Sequence, residues 1–303
     1  MKHYGEICLI VNDAGSGAPP PPPGSGADWG PGWHHDPMPD TYTHGHHESV
    51  LRSHTWRTVD NSAAYLLDAL APGQDLLDIG CGPGTITADL ATRVAPGRVV
   101  GIDVSEEIVT QAQDLAARSG LSHLSFTTGD VYALDFDDAS FDIVHAHQVL
   151  QHLSRPVDAL IEMRRVVRPG GVVAVRDGDF AAYPWAPADP LLDRWLDLYH
   201  EVTRHNGAEA DAGRHLLGWA HAAGFSEVVA TSSTWTFADA ERRKWWGELW
   251  ADRVRLSAFA DQALAYGLSN RAELEDIAQA WLRWAASPDG FFAVVHGEVL
   301  ARD

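Results

Sequence analysis

Three glycines, Gly80, Gly82 and Gly84, follow the apolar run Leu76–Ile79 and precede Thr85, where a helical pattern begins. A glycine turn between a buried strand and a helix lets backbone approach a ligand, and the first helical amides point at it. The spacing is Gly-x-Gly-x-Gly. It is neither the Gly-x-Gly-x-x-Gly that suits a dinucleotide pyrophosphate nor a Gly-Lys-Ser/Thr phosphate loop. Acidic residues mark this strand and the ends of the next two: Asp78, Asp103 after Val99–Ile102, and Asp130 in Thr-Gly-Asp-Val. Asp103 is placed to accept both hydroxyl protons of a ribose. Asp130 can accept from an adenine amino group, and Val131 offers apolar contact and an amide.

A ribose, an adenine and a cationic amino-acid end, with no phosphate, describe S-adenosylmethionine. Methyl transfer from a sulfonium is an in-line displacement, so positioning and exclusion of water supply most of the rate. A base is needed only where the attacking atom carries a proton whose loss helps it. His145 and His147 lie at the end of the fourth apolar run, at the strand ends where such a sheet takes its ligand. That makes His147 the first candidate base and His145, on the same side of the strand, the second and a pocket residue. A hydrogen-bonded wall residue is the other reading of His147. Asp177 and Asp179, with Tyr183 and Trp185 in the adjoining loop, suit a cationic or N–H-bearing aromatic substrate; the alternative is a capped turn. Asp179 is a further proton acceptor, and Tyr42 is placed to close over substrate.

A parallel sheet is needed to hold these residues. Apolar runs at 75–79, 98–103, 124–128, 141–145 and 171–176 alternate with amphipathic stretches at 87–94, 106–117 and 157–167. That rhythm predicts an α/β fold with a Rossmann-like, doubly wound, mostly parallel seven-stranded sheet. Ser105 caps the second of these helices and Gly120 stops it. Beyond residue 178 the alternation breaks, and helical cap insertions are expected at about 178–211 and 238–288, together making a lid. Between them read a helix at 213–223 and a strand at 226–236, and a final strand follows at 292–300. Of twelve tryptophans, Trp245, Trp246, Trp250, Trp281 and Trp284 cluster in the second insertion at helical spacing, as core with one or two left to line a flat pocket. Residues 49–70 read as one or two helices, and 1–40 as a flexible arm with five consecutive prolines from Pro19 to Pro23.

A net charge of -20 with no basic patch argues against nucleic acid and for a small-molecule substrate. Two cysteines, Cys8 and Cys81, make no disulfide framework, and no apolar run is long enough to span a membrane, so a soluble cytoplasmic protein is expected. His44, His46, His47 and His54 have no matched carboxylate or thiolate partner, so no metal is expected. A homodimer is allowed.

Asp78 to Gly84, Asp103, Gly129-Asp130, the run His147 to Leu153 and Arg168-Pro169-Gly170-Gly171 together resemble the class I methyltransferases, especially the ubiquinone/menaquinone-biosynthesis type. The likeness covers about residues 41–180 and, more loosely, the remainder, so that 41–303 is identified as a methyltransferase domain. It implies that Gly80, Gly82 and Gly84 line the methionine part of the cofactor and Asp78 sits near its ammonium. It also implies that Asp103 binds ribose, and Asp130 with Val131 the adenine. The segment 44–65 resembles an actinobacterial and fungal small-molecule subgroup. There an N-terminal helix folds over the cofactor, making Arg57 and Asn61 candidates for its carboxylate end; a surface arginine and a capping asparagine are the alternatives.

That subgroup includes enzymes that C-methylate quinone or indole rings. The resemblance and the aromatic content point to C3 of an indole, with His147 or Asp179 taking the N–H proton, in specialised metabolism. O- and N-methylation use the same pocket. The rivals are a non-catalytic cofactor-binding regulator and an NAD dehydrogenase, the latter disfavoured by the loop spacing and Asp130.

Overall fold

The computed structural model describes residues 40–45 and 47–303. The arm read at 1–40 lies outside them apart from Asp40, as does His46. Three short helical segments lead in: α1 (Glu48–Thr55), α2 (Val59–Ser62) and a 3-10 turn over Ala64–Ala69. Five parallel strands follow, β1 (Leu76–Ile79), β2 (Val99–Asp103), β3 (Leu124–Thr128), β4 (Phe141–His147) and β5 (Val167–Gly178). Between them run α3 (Thr85–Val94), α4 (Glu106–Ser119) and α5 (Pro156–Val166). The expected cap and stop of α4 are present: Ser105 accepts from the Ile108 amide, and Gly120 is left-handed at φ 70°.

The remainder is β6 (Trp185–Ala186), α6 (Pro190–His205), α7 (Ala212–Ala222), β7 (Glu227–Phe237), α8 (Ala240–Leu256), α9 (Ala258–Ala265), α10 (Arg271–Ala286) and β8 (Phe291–Arg302). The sheet order is β3-β2-β1-β4-β5-β8-β6, with β7 also on β8. Strand β8 runs antiparallel to β5. Among the described residues the sheet has eight strands; the addition to the expected seven is β6, two residues that pair with Phe291 and Phe292. It exists because β8, at twelve residues, outruns its pairing with β5 and leaves that end open to the loop after residue 178.

The interiors of β1, β2 and β4 and the second half of β5 are buried on both faces, so that successive residues enter opposite cores, whereas β3 and β7 keep exposed positions. Leu76, Val99 and Ala174 join the α3/α4 side, whereas Leu77, Val100 and Val175 join the α5/α7 side. A third cluster is made by α6 and α8–α10, centred on Trp195, Trp250, Trp281 and Phe292. Most cap tryptophans are therefore core, as their spacing indicates. The described residues form one compact unit. The strand order reverses between β1 and β4, so the crevice at their carboxyl ends is where this kind of sheet takes a ligand.

Candidate active site

The turn from β1 into α3 is left-handed at all three glycines, with φ 64° at Gly80, 54° at Gly82 and 84° at Gly84. A Cβ at Gly80 would lie 2.4 Å from Val149 Cγ2, and at Gly84 2.6 Å from the Phe126 ring. Neighbours thus press on the outside of the turn, whereas at Gly82 the nearest atom is His54 Nδ1 at 3.7 Å. Helix α1 reaches this loop, since Thr85 Oγ1 donates to the His54 carbonyl at 3.1 Å.

Asp103 accepts from the Gly82 amide through Oδ2 and from the Ser105 amide through Oδ1, both at 3.1 Å. Each oxygen keeps a second lone pair, so the carboxylate is oriented and still able to accept hydroxyl protons. Asp130 is exposed, with Oδ1 on the Tyr132 amide at 2.9 Å, and the adjacent Val131 is buried. The expectation for Asp78 is corrected. It is buried, and its oxygens accept from His145 Nδ1 at 2.7 Å and Thr87 Oγ1 at 2.5 Å. It ties β1 to β4 and α3. The same pair removes His145 from the pocket, because that ring is fully buried beneath the sheet ends.

At the end of β4, His147 is buried, and neither ring nitrogen has a hydrogen-bond partner among the described residues. Its ring centroid is 5.8 Å from that of Trp235 and 6.1 Å from that of His296. Burial, reinforced by the Arg57 and Arg176 cations, holds its pKa well below the usual value, so the imidazole is neutral with a lone pair available. Gln148 follows in the left-handed region at φ 55°, a conformation that costs an ordinary side chain about 1–2 kcal/mol. Its amide nitrogen meets His296 Nε2 at 2.9 Å, and its oxygen accepts from Arg57 Nη2. Arg57 also faces the Trp235 ring at 5.7 Å, and burial lowers its pKa to about 9. Asn61, by contrast, is a capping residue. Its oxygen accepts the Thr58 amide at 2.9 Å and the Ser62 hydroxyl at 2.7 Å, and its nitrogen donates to the Trp56 carbonyl at 3.1 Å.

The other wall comes from the cap. Tyr42 packs edge-on to His152 at 4.8 Å, and Tyr199 meets His44 Nε2 at 3.0 Å. Arg57 and Arg253 both act electrostatically on Tyr42, His44 and His152, and Asp103 acts on Tyr42, so these side chains lie in one neighbourhood. Burial of Tyr42 raises its pKa and that of Arg253 falls to about 10 for the same reason. Asp179 does not reach this neighbourhood as a free base: Arg214 clamps it through Nε at 2.8 Å and Nη2 at 2.5 Å. Asp177 accepts the Gln151 amide at 3.1 Å while Oδ2 has no partner, and burial raises its pKa to about 7. Tyr183 and Trp185 belong to the aromatic packing of the cap, 5.8 and 6.2 Å from the Phe292 ring. Tyr183 stays within electrostatic reach of Arg57 and Arg253.

Among the described residues no group of three metal-ligating side chains converges. A methyltransferase-domain family model matches residues 70–233. The chain belongs to the class I methyltransferases. An uncharacterised methyltransferase of Schizosaccharomyces pombe is 34% identical over 270 residues, 86% of this chain and 95% of the relative. The demethylmenaquinone methyltransferase of Beutenbergia cavernae is 38% identical over 135 residues, 44% of this chain and 52% of the relative. A solved structure from Bacillus halodurans shares the fold with TM-score 0.52 at 20% identity, covering 79% of this chain and 97% of that one.

S-adenosylmethionine is the cofactor of this methyltransferase, and the residues present fit it. The glycine turn leaves its Gly82 side open, Asp103 stands beside it, and the unpartnered nitrogens of His147 lie past the next strand end. Gln148, Arg176, Trp235, Arg253 and His296 are site residues that sequence reasoning missed. Trp235 and His296 sit mid-strand in β7 and β8 and reach His147 only because β8 folds back beside β5. Arg176 could have been suspected, since a charge directly after the apolar Val172–Val175 run, within a buried strand, must be paired; its partner is Glu298 at 3.1 Å.

Proposed function

We propose that this methyltransferase is a cytoplasmic enzyme of specialised metabolism that methylates a small, flat aromatic molecule held beneath the α6 and α8–α10 lid. The cofactor supplies an electrophilic methyl group. Arg57 holds its carboxylate end, fixed in place by Gln148. Asp103 orients the ribose, and Asp130 with Val131 receives the adenine. Tyr42 closes over the acceptor. One observation carries the reading: His147 is buried, neutral and unbonded on both nitrogens, between the cofactor loop and an aromatic wall. Such a ring is able to take a proton from a hydroxyl or ring N–H as the neighbouring atom attacks.

The most specific form of this reading is methylation at C3 of an indole. The ring carbon bonds the methyl group as the sulfur–methyl bond breaks, and the N–H proton passes to His147. Trp235 beside His147 and Trp250 beside Arg253 support a planar acceptor. A quinone ring is the second reading, favoured by the likeness to demethylmenaquinone methyltransferase. The test is mass spectrometry of products from a panel of indoles, quinones and phenols with methyl-labelled cofactor. Label in one of these classes is expected. If the protein binds the cofactor yet forms no S-adenosylhomocysteine with any acceptor, the enzyme reading fails in favour of a cofactor-binding regulator.

A further inference from the structure

We propose that Arg253 anchors an anionic oxygen on the methyl acceptor, a carboxylate or an ionised phenol. The inference rests on the methyltransferase reading above and narrows its substrate. Arg253 lies near the end of α8 and is 5% exposed. Its Nη2 donates to Ser53 Oγ at 2.5 Å, whereas Nε has no partner. Among the described residues no carboxylate pairs with it, although Arg255, two positions on, has Asp252 at 3.2 Å. The charged or titratable groups interacting with it include Tyr42, Tyr199, Tyr183, Arg52, Arg57, His44 and His152, three phenols, two cations and two buried imidazoles.

A buried guanidinium without a counter-anion is costly, and one hydroxyl and a ring face answer only part of that cost. The ring face is that of Trp250, 5.1 Å away. An oxyanion arriving with a ligand removes the imbalance, through bonds roughly twice as strong as neutral ones. Arg57 is a second cation here without an ion pair among the described residues, and its bond to Gln148 places it at the β4 end, beside the cofactor loop. The cofactor has one carboxylate, which Arg57 takes. Arg253 is left for the acceptor, on the cap side, where Tyr42, Tyr199 and Trp250 offer flat surfaces to its ring. The same excess of positive charge disfavours a cationic amine acceptor.

The test is calorimetric binding to the full chain saturated with S-adenosylhomocysteine, using two matched pairs. Indole-3-acetate against indole-3-acetamide reports on a carboxylate; 4-nitrophenolate against 4-nitroanisole reports on an ionised phenol. One arm is expected to favour the anion by about tenfold or more. Arg253→Gln should remove that preference, Arg253→Lys should retain part of it, and both should bind S-adenosylmethionine as the parent does. The proposal is overturned if the parent prefers neither anion or binds neither pair. It is also overturned if the preference survives Arg253→Gln, or if that variant loses cofactor affinity as an Arg57 variant should. The parent arms stand whether or not a variant folds. Failure of the underlying reading is distinct: a parent protein that binds no S-adenosylmethionine.

Discussion

Removing the Asp78 carboxylate separates a structural role from a ligand role. In Asp78→Ala, two fully buried donors lose their acceptor: the Thr87 hydroxyl, bonded at 2.5 Å, and His145 Nδ1, bonded at 2.7 Å. Each stranded buried donor costs about 1–3 kcal/mol, so about 4 kcal/mol is expected in total. In a chain of this size 1 kcal/mol moves Tm by roughly 2–4 °C, so melting should fall by about 10 °C. Circular dichroism melting of parent, Asp78→Ala, His145→Phe and the double variant would measure this. The double variant should lose less than the sum of the singles, because His145→Phe removes one stranded donor. Calorimetry with S-adenosylmethionine completes the assay. A melting point within about 2 °C of the parent, together with abolished cofactor binding, would refute the argument and return Asp78 to the ammonium.

Three other outcomes are expected. His147→Asn should lower kcat by about 100-fold or more while cofactor affinity holds, if the acceptor loses a proton during transfer; labelled-methyl turnover checks it. Asn61→Ala should cost about 1 kcal/mol in thermal unfolding, the value of a helix cap, and leave cofactor affinity unchanged. Stability should fall steeply as pH drops below about 6.5, the unfolded histidine value. His44, His147, His152 and His296 are all held below it by burial, His152 to about 3, so the unfolded chain binds more protons there. Asp177, raised to about 7, opposes this, since the folded state takes its proton first. Four histidines against one carboxyl leave about three protons, or about 4 kcal/mol per pH unit, checked by chemical unfolding between pH 5 and 8.

Local chemistry made much of this protein legible. The glycine spacing, the strand-end carboxylates and the strand–helix rhythm depend on neighbours within a few residues, so the cofactor loop and parallel core could be read directly. The capping role of Asn61 was legible as an alternative, because a Thr58-x-x-Asn61 box is itself a local pattern. Asp78 and Asp179 misled because a carboxylate near a strand end looks alike whether it faces a ligand or a buried partner. Their partners, His145 and Arg214, stand 67 and 35 residues away in the chain.

What the sequence determined by itself was therefore the glycine turn, the parallel core and the methyltransferase family, where backbone turn geometry and short-range order do the work. The surroundings of Gln148 and Arg253 were decided only by tertiary structure. Gln148 bridges Arg57 to His296 across 91 and 148 residues of chain, and Arg253 reaches Ser53 across 200. No periodicity encodes such pairings. They arise because β8 returns antiparallel beside β5 and the cap helices close over the strand ends, burying cations and neutral imidazoles, several of whose ring or guanidinium nitrogens have no hydrogen-bond partner among the described residues.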